Sequence, residues 1–319
     1  MPWFHHRSDD EKRDEDEQRR REIAQEQDRQ ASLASLQGGG IPVPAQRRLD
    51  ELRRREETFF TSDLSVNEFA LARQAGFRPV TQVMGSSVYH VGWQRTPGQG
   101  FMRFSVAYTE ELAVVSQAMN HARGLALGRL MEETERVGAN GVIGVRVTRS
   151  EYEWAADMIE FQMVGTAVRS ENVPKGRRPF LTNLSGQDFW KLFQSGYWPV
   201  GVVAGSTVFY VVGGWAAQMA NNSFWMSRQN MEITEFAQGV SLARHRAMGL
   251  VYDQARSLQA SGVVGMSIEQ GQKEHKVDLG NDQERTDMIC TFHAIGTGIV
   301  ERDNGRVAPD IRAVVSLNG

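Results

Sequence analysis

Cysteine is nearly absent from this 319-residue chain, since Cys290 is the only one. A single thiol cannot form an intrachain disulfide, and this predicts a reducing, cytoplasmic environment. The net charge is only −3, so we expect neither nucleic acid nor an anionic membrane as a partner. An apolar signal segment is lacking as well, because a charged run follows the first seven residues.

Motifs of common catalytic sites are lacking too. The sequence contains no phosphate-binding G-x-x-x-x-G-K loop, no G-x-G-x-x-G after a strand and no G-x-S-x-G elbow. Gly85-Ser-Ser87 and Gly205-Ser-Thr207 place hydroxyls after a glycine, but no matched histidine and acid accompany both. We interpret these two segments as strand bends or bulges. The chain is therefore predicted not to be an enzyme, and an enzyme with an interdomain cleft is the least favoured alternative.

One uncharged stretch, 192–227, is long enough to span a bilayer. Pro199 and several glycines interrupt it, and it aligns with residues 79–99, which do not resemble a membrane span. A membrane protein is therefore not favoured.

The first 57 residues mix charges of both signs and contain few large apolar side chains. Such a segment cannot bury a core of its own, so it is predicted to be a solvated arm. We expect a helix over 9–36, an extended linker at Gly38 to Pro44 and a second helix over 46–57.

From residue 58 onward the sequence repeats itself. The offset is 120 residues at first, 121 over a long amphipathic helix and 131 in the last strand. Matching segments include Leu64–Phe69 with Leu184–Phe189, Ala122-Arg123 with Ala243-Arg244, Gly141–Val145 with Gly262–Met266, and Phe161–Thr166 with Phe292–Thr297. The ten extra residues of the second copy, around 271–282, are polar and predict a surface loop. The duplication indicates a tandem arrangement of one domain.

Both copies predict the same elements in the same order. Ser65 with Glu68, and Ser185 with Asp188, form capping-box patterns that open a short helix. An apolar strand follows over 80–91 or 200–212, then a long helix that ends at a left-handed residue such as Gly138. A strand and a hairpin complete the unit. The predicted fold class is α+β, with two layers and a mainly antiparallel sheet.

The first copy resembles the YbjQ family. The resemblance rests on Ala-Arg in the long helix, Gly-Ala-Asn-Gly-Val-Ile-Gly-Val at 138–145, and Val-Gly-Thr-Ala-Val at 164–168. It covers 58–170 well and 180–300 more loosely, which leaves 1–57 as the arm and 301–319 as a C-terminal tail. The family implies a dodecin-like β-α-β-β fold that forms rings, typically pentamers. A tandem chain could then place its two domains in two stacked rings, as a pentamer of ten domains.

The family's name also implies heavy-metal binding, with a divalent transition metal as the expected cofactor. The sequence has no C-x-x-C and no H-x-x-x-H, and the two copies share no histidine. His121 and His245, on the two long helices, could approach each other across a domain contact. Cys290 is predicted to be a buried thiol, with His293 on the opposite face of its strand. The candidate metal ligands are His90, His121, His245 and His293.

Aromatic side chains crowd the segment between the first strand and the long helix of each copy. They either fold back onto the sheet or lie against another subunit, and ring formation favours the second. The candidate interface residues are Trp93, Phe101, Phe104, Trp215, Phe224 and Trp225. The leading hypothesis is a non-enzymatic, self-assembling homo-oligomer. The alternative is a protein that binds metal or a small ligand between subunits or domains.

Overall fold

The computed structural model describes residues 9–54, 60–91, 108–151, 158–171, 173, 178–214, 232–280 and 283–302. Within these ranges the fold is α+β, with six helices and eight strands in two four-stranded sheets. The helices are α1 Asp9–Gln37, α2 Val43–Arg54, α3 Val66–Gln74, α4 Ala113–Arg136, α5 Gly186–Gln194 and α6 Thr234–Ser257. The strands are β1 Arg78–His90, β2 Thr109–Glu111, β3 Gly141–Glu151, β4 Met158–Arg169, β5 Phe180–Leu181, β6 Tyr197–Val211, β7 Gly262–Gly280 and β8 Gln283–Glu301.

The first sheet has the strand order β1-β4-β3-β5, and the second has the order β2-β6-β8-β7. All pairs are antiparallel except β3 with β5. Helix α4 packs on β1 and β4 of the first sheet and also on β6 of the second, while α6 packs on β6 and β8. Helix α4 thus contacts both sheets, and α6 packs on the second. We call residues 60–171 the first unit and 178–302 the second unit.

The N-terminal arm is helical as predicted, but it is not separate from the core. Ile41 and Leu49 are buried in the same apolar cluster as α4 and the first sheet. The linker is shorter than predicted, because α2 begins at Val43 and takes in Pro44. Proline fits the first turn of a helix, where its missing N–H is not needed. The prediction of an extended linker through Pro44 was therefore wrong.

The short helices α3 and α5 begin at the predicted caps. Ser65 and Glu68 form the complete capping box, with both reciprocal hydrogen bonds. In the second unit the Ser185 hydroxyl accepts from the Asp188 N–H and donates to the Asp188 carboxylate. The shorter aspartate thus meets the serine hydroxyl instead of the backbone N–H that Glu68 reaches.

Gly85 and Gly205 are sites of close helix packing, and the predicted bulges lie elsewhere. A Cβ at Gly85 would overlap the backbone of Ala126 in α4, and a Cβ at Gly205 would overlap that of Ala247 in α6. The register of β1 and β6 is continuous at both positions, with irregularities near Pro79 and Pro199 instead. The interpretation as strand bends was wrong, because glycine here removes a side chain from a helix contact.

Left-handed backbone conformations recur at matching positions. Gly138 follows α4 with φ 68°, as predicted, and Gln259 follows α6 with φ 56°. Gly144 and Gly265 have φ 70° and 61° and lie at the register shifts of β3 and β7. The bulge of each hairpin is therefore built on a glycine.

The ten extra residues of the second unit extend strands instead of forming a loop. Strands β7 and β8 pair from Gly262↔Ile299 out to Gly280↔Gln283. The predicted surface loop was wrong in conformation, although the side chains of 272–274 are exposed. Alternation of polar residues over this stretch is also compatible with a two-stranded ribbon.

Each unit contributes a short strand to the sheet of the other unit. Strand β2 lies in the first unit but pairs with β6 of the second sheet. Strand β5 lies in the second unit but pairs in parallel with β3 of the first sheet. Among the described residues no helix is long and apolar enough to cross a membrane. Residues 197–211 of the stretch that raised this alternative form β6.

Candidate functional site

Helix α4 binds the open edge of β6 through polar side chains. Asn120 accepts from the Ser206 N–H at 3.1 Å and donates to the Ser206 carbonyl at 2.7 Å, as a neighbouring strand would. The Ser116 hydroxyl accepts from the Val208 N–H at 3.0 Å. These bonds satisfy backbone groups that β6 would otherwise leave unpaired at its edge.

Arg123 is the buried centre of this contact, with only 8% of its surface exposed. Its guanidinium donates to the Ser206 hydroxyl, the Asn120 side-chain oxygen and the Ala204 carbonyl at 2.7–2.9 Å. All three acceptors are neutral. Burial lowers the pKa of Arg123 to about 10, so the group is still a cation at neutral pH.

A cavity of about 320 Å³ lies beside Arg123, between the two sheets. Strand β3 contributes Arg146 and Arg149 to its wall, and β8 contributes His293. Arg146 forms an ion pair with Asp63. Among the described residues of the lining, Glu269 alone carries a carboxylate, and it is exposed. Within the described part of the lining, cationic side chains therefore outnumber acidic ones.

His293 is a neutral histidine within this positive environment. Arg149 donates a hydrogen bond to its Nε2, which places the ring hydrogen on Nδ1. Burial, with added repulsion from Arg149 and Arg123, lowers the pKa of His293 to about 3. The Nδ1 atom is buried and has no hydrogen-bond partner within the described ranges.

A second polar cluster is buried on the same face of the second sheet. The Asp287 carboxylate accepts from Arg285 at 2.7 and 2.8 Å, from the Tyr210 hydroxyl at 2.6 Å and from the Gly213 N–H at 2.8 Å. Burial and the bond to Asp287 raise the pKa of Tyr210. Sequence reasoning missed this cluster, because Tyr210 and Asp287 are distant along the chain and no motif joins them.

The four histidines proposed as metal ligands lie on four different elements. His90 ends β1, and His121 is exposed on α4 with its ring 5.3 Å from that of Tyr89. His245 is exposed on α6, which packs on the other face of the second sheet from α4. His293 faces the cavity. Over the ranges that the structure describes, no three His, Cys, Asp or Glu side chains are grouped to hold a metal ion.

Cys290 is fully buried in the core beneath α6, as predicted, and burial raises the pKa of its thiol. It lies on the face of β8 opposite to His293, which confirms the predicted alternation. The six aromatic interface candidates, Trp93, Phe101, Phe104, Trp215, Phe224 and Trp225, lie outside the described residues.

Comparison with known proteins adds two relationships to this geometry. Residues 78–171 match the YbjQ family model, whose description is "Putative heavy-metal-binding". The chain is 39% identical over 215 residues to the encapsulin nanocompartment protein Rv1762c of Mycobacterium tuberculosis, an alignment that covers 66% of this chain and 78% of the relative. The chain belongs to the family of this mycobacterial nanocompartment protein. A UPF0145 protein of Clostridium perfringens is 37% identical over 62 residues, which cover 19% of this chain and 57% of that protein.

The sequence of this chain contains a signal for Arg123. The Ala-Arg pair recurs at Ala243-Arg244, and a charged residue repeated within an apolar helical pattern predicts a partner for the charge. The partner proved to be the edge strand of the other unit.

Proposed function

We propose that this protein is a non-enzymatic, cytoplasmic, self-assembling protein whose copies join head to tail through the surface that joins its own two units. The second unit is, in this proposal, a second dodecin-like YbjQ domain. One observation carries the proposal. Arg123 is buried on β6 of the second unit, while Arg244, the matching residue of α6, is exposed.

The edge strand of the first unit provides the complementary surface. Met84 and Val88 of β1 are 44% and 50% exposed, whereas their counterparts Ala204 and Val208 are 4% and 3% exposed beneath the first unit. Apolar side chains exposed in this way on a sheet face favour a further protein contact.

Backbone groups along the same edge support this pairing. The Met84 N–H binds Glu133, just as the Ala204 N–H binds Gln254. Beyond that point the Ser206 and Val208 N–H groups bind α4, but within the described residues those of Ser86 and Val88 have no such partner. An edge of this kind is a template for another chain.

The other end of the chain carries the matching helix surface. Ala237, Ser241 and Arg244 occupy the places of Ser116, Asn120 and Arg123, and all three are exposed. Ile268 of β7 is exposed as well, whereas its counterpart Val147 packs against the first core. Arg244 and Ile268 thus provide a cation and an apolar side chain on the surface that would contact a second copy.

Such an interface joins two different surfaces, so it produces closed rings or open filaments. Each chain contributes two successive units, and a ring of five chains would hold ten units. The YbjQ resemblance implies rings of five domains, which five chains form when their two units lie in two stacked rings, and this is the alternative arrangement. The name of the mycobacterial relative, a nanocompartment protein, supports assembly as the function.

Arg244→Glu and Val88→Glu test the proposal at opposite ends of the interface. Native mass spectrometry should show an oligomer for the wild type and monomers for each variant alone. An equimolar mixture should give dimers, because each variant keeps one competent surface. Arg256→Glu, with the same charge change more than three turns further along α6, should assemble normally. A monomeric wild type, or normal assembly of Arg244→Glu, would refute head-to-tail assembly.

Metal binding is the second candidate, and the description of the YbjQ family supports it. Since the described residues of one chain bring no ligand group together, such a site would form between copies. Elemental analysis of untagged protein, with and without His121→Ala and His245→Ala, tests this separately. Metal absent from the assembled wild type would argue against it, even if assembly is normal.

A further inference from the structure

The cavity between the two sheets has a charge pattern that assembly does not require. Its wall brings together Arg123 of α4, Arg146 and Arg149 of β3, and His293 of β8. Asp63 neutralises Arg146, but the acceptors of Arg123 are uncharged. A buried cation without an anion is costly, since burial removes its hydration.

The charges of Arg123 and Arg149 both act on His293. Both lower the pKa of His293, which lines the same cavity. Hydrogen-bonding side chains of Ser206, Asn183 and Ser267 line the same space.

We propose that this cavity binds a small oxyanion of the phosphate type, held by the guanidinium groups of Arg123 and Arg149. Guanidinium groups match the geometry of phosphate oxygens and form strong, charge-assisted hydrogen bonds. The bound anion compensates the charge of Arg123 and ties α4 and β3 of the first unit to β6 and β8 of the second.

The site exists once in each chain. The surface proposed to join two copies has uncharged residues at the matching positions. Ser267 replaces Arg146, Gln270 replaces Arg149 and Gln162 replaces His293. Only the counterpart of Arg123, which is Arg244, is kept. That surface therefore lacks the cluster of cations, and we expect a stoichiometry of one oxyanion per chain whatever the assembly state.

Isothermal titration with inorganic phosphate, at constant ionic strength set with sodium chloride, tests the proposal. Wild-type protein should bind one phosphate per chain. Arg149→Gln introduces the side chain that the second unit has at this position, and it should weaken binding roughly 10- to 100-fold, the usual effect of losing a charged hydrogen bond. Arg149→Lys keeps the charge and should bind more tightly than Arg149→Gln.

Arg136→Gln is the matched control, because it removes a guanidinium of α4 that is paired with Glu132 and Asp50, outside the cavity. It should bind phosphate like the wild type. Absence of saturable binding to the wild type would overturn the proposal, as would equal affinities of wild type and Arg149→Gln. Light scattering on the same samples reports assembly independently, so the two proposals can fail separately.

Discussion

Glu133 accepts a hydrogen bond from the backbone N–H of Met84 at 2.8 Å and thereby fastens the edge strand of the first sheet to α4. Gln254 accepts from the Ala204 N–H at 2.9 Å in the second unit. The same contact is thus made by a buried carboxylate in one unit and by a neutral amide in the other. The stability of the two units should therefore depend on pH in different ways.

Exchange of these two side chains should change the pH dependence of stability. Burial raises the pKa of Glu133 above its ordinary value of 4.5, against the opposing effects of Met84 and Arg48. The folded state therefore holds the proton more tightly, and stability falls as pH rises from about 4.5 through the folded-state pKa. Glu133→Gln should remove this fall, and Gln254→Glu should add a second one.

Urea denaturation between pH 4 and pH 8 measures the effect, with Glu133→Ala as the control. That truncation also removes the titrating carboxyl, and it leaves the Met84 N–H unpaired, so its profile should lack the same fall and lie about 1–3 kcal/mol below that of Glu133→Gln at every pH. A wild-type pH profile that Glu133→Gln leaves unchanged would contradict the assignment.

Gln259 is expected to be a strained residue, because its left-handed conformation suits glycine. Gln259→Gly should stabilise the protein by about 1 kcal/mol. The reverse change at the matching position, Gly138→Gln, should destabilise it by a similar amount. Thermal unfolding followed by circular dichroism is sufficient for the comparison. Changes of the same sign in both variants would show that the conformation is not the cause.

Gly85→Ala should separate α4 from the first sheet, since the added methyl group overlaps the backbone of Ala126. We expect a loss of about 3 kcal/mol, at the upper end of the usual cost of overpacking. Gly128→Ala adds the same methyl group on α4 in open space and should stabilise the helix by about 0.5–1 kcal/mol. Chemical denaturation of both variants would distinguish a packing effect from a general effect of alanine.

Removal of Asp287 should be severe, because it leaves the buried Arg285 without its counterion. Loss of one partner of a buried ion pair typically costs about 3–5 kcal/mol. Lys276 and Glu284 form an exposed pair at 3.9 Å in the same hairpin, and Lys276→Ala should cost less than about 1 kcal/mol. Similar losses in Asp287→Ala and Lys276→Ala would be inconsistent with a buried charge network.

Local patterns were sufficient to predict most elements of this fold. The capping serines, the helical spacing of apolar residues and the glycine after α4 act over a few residues, so one sequence contains the necessary information. Gly85 is a position where the local sequence is not sufficient to predict the structure. A glycine within a strand indicates either a bulge or a close neighbour, and only the position of α4 decides between them.

The cavity between the sheets could not be predicted for the same reason. Arg123, Arg149 and His293 come from three elements, and no short spacing connects them. The aligned copies did reveal that His293 has no histidine at its matching position, and the same alignment places Gln270 opposite Arg149. That difference indicated a feature of one copy alone, but it could not show that the two residues meet.

The exchange of β2 and β5 between the units also constrains how the chain can fold during synthesis. Thr109 is synthesised long before Val211, its partner in β6. Likewise, β3 can pair with β5 at Gly141 only after Phe180 has been synthesised. Neither half can therefore finish its sheet alone, and unpaired edges stay open until translation has passed the second unit. The two units are in this way a single folding unit, and a cut between them would leave both sheets incomplete.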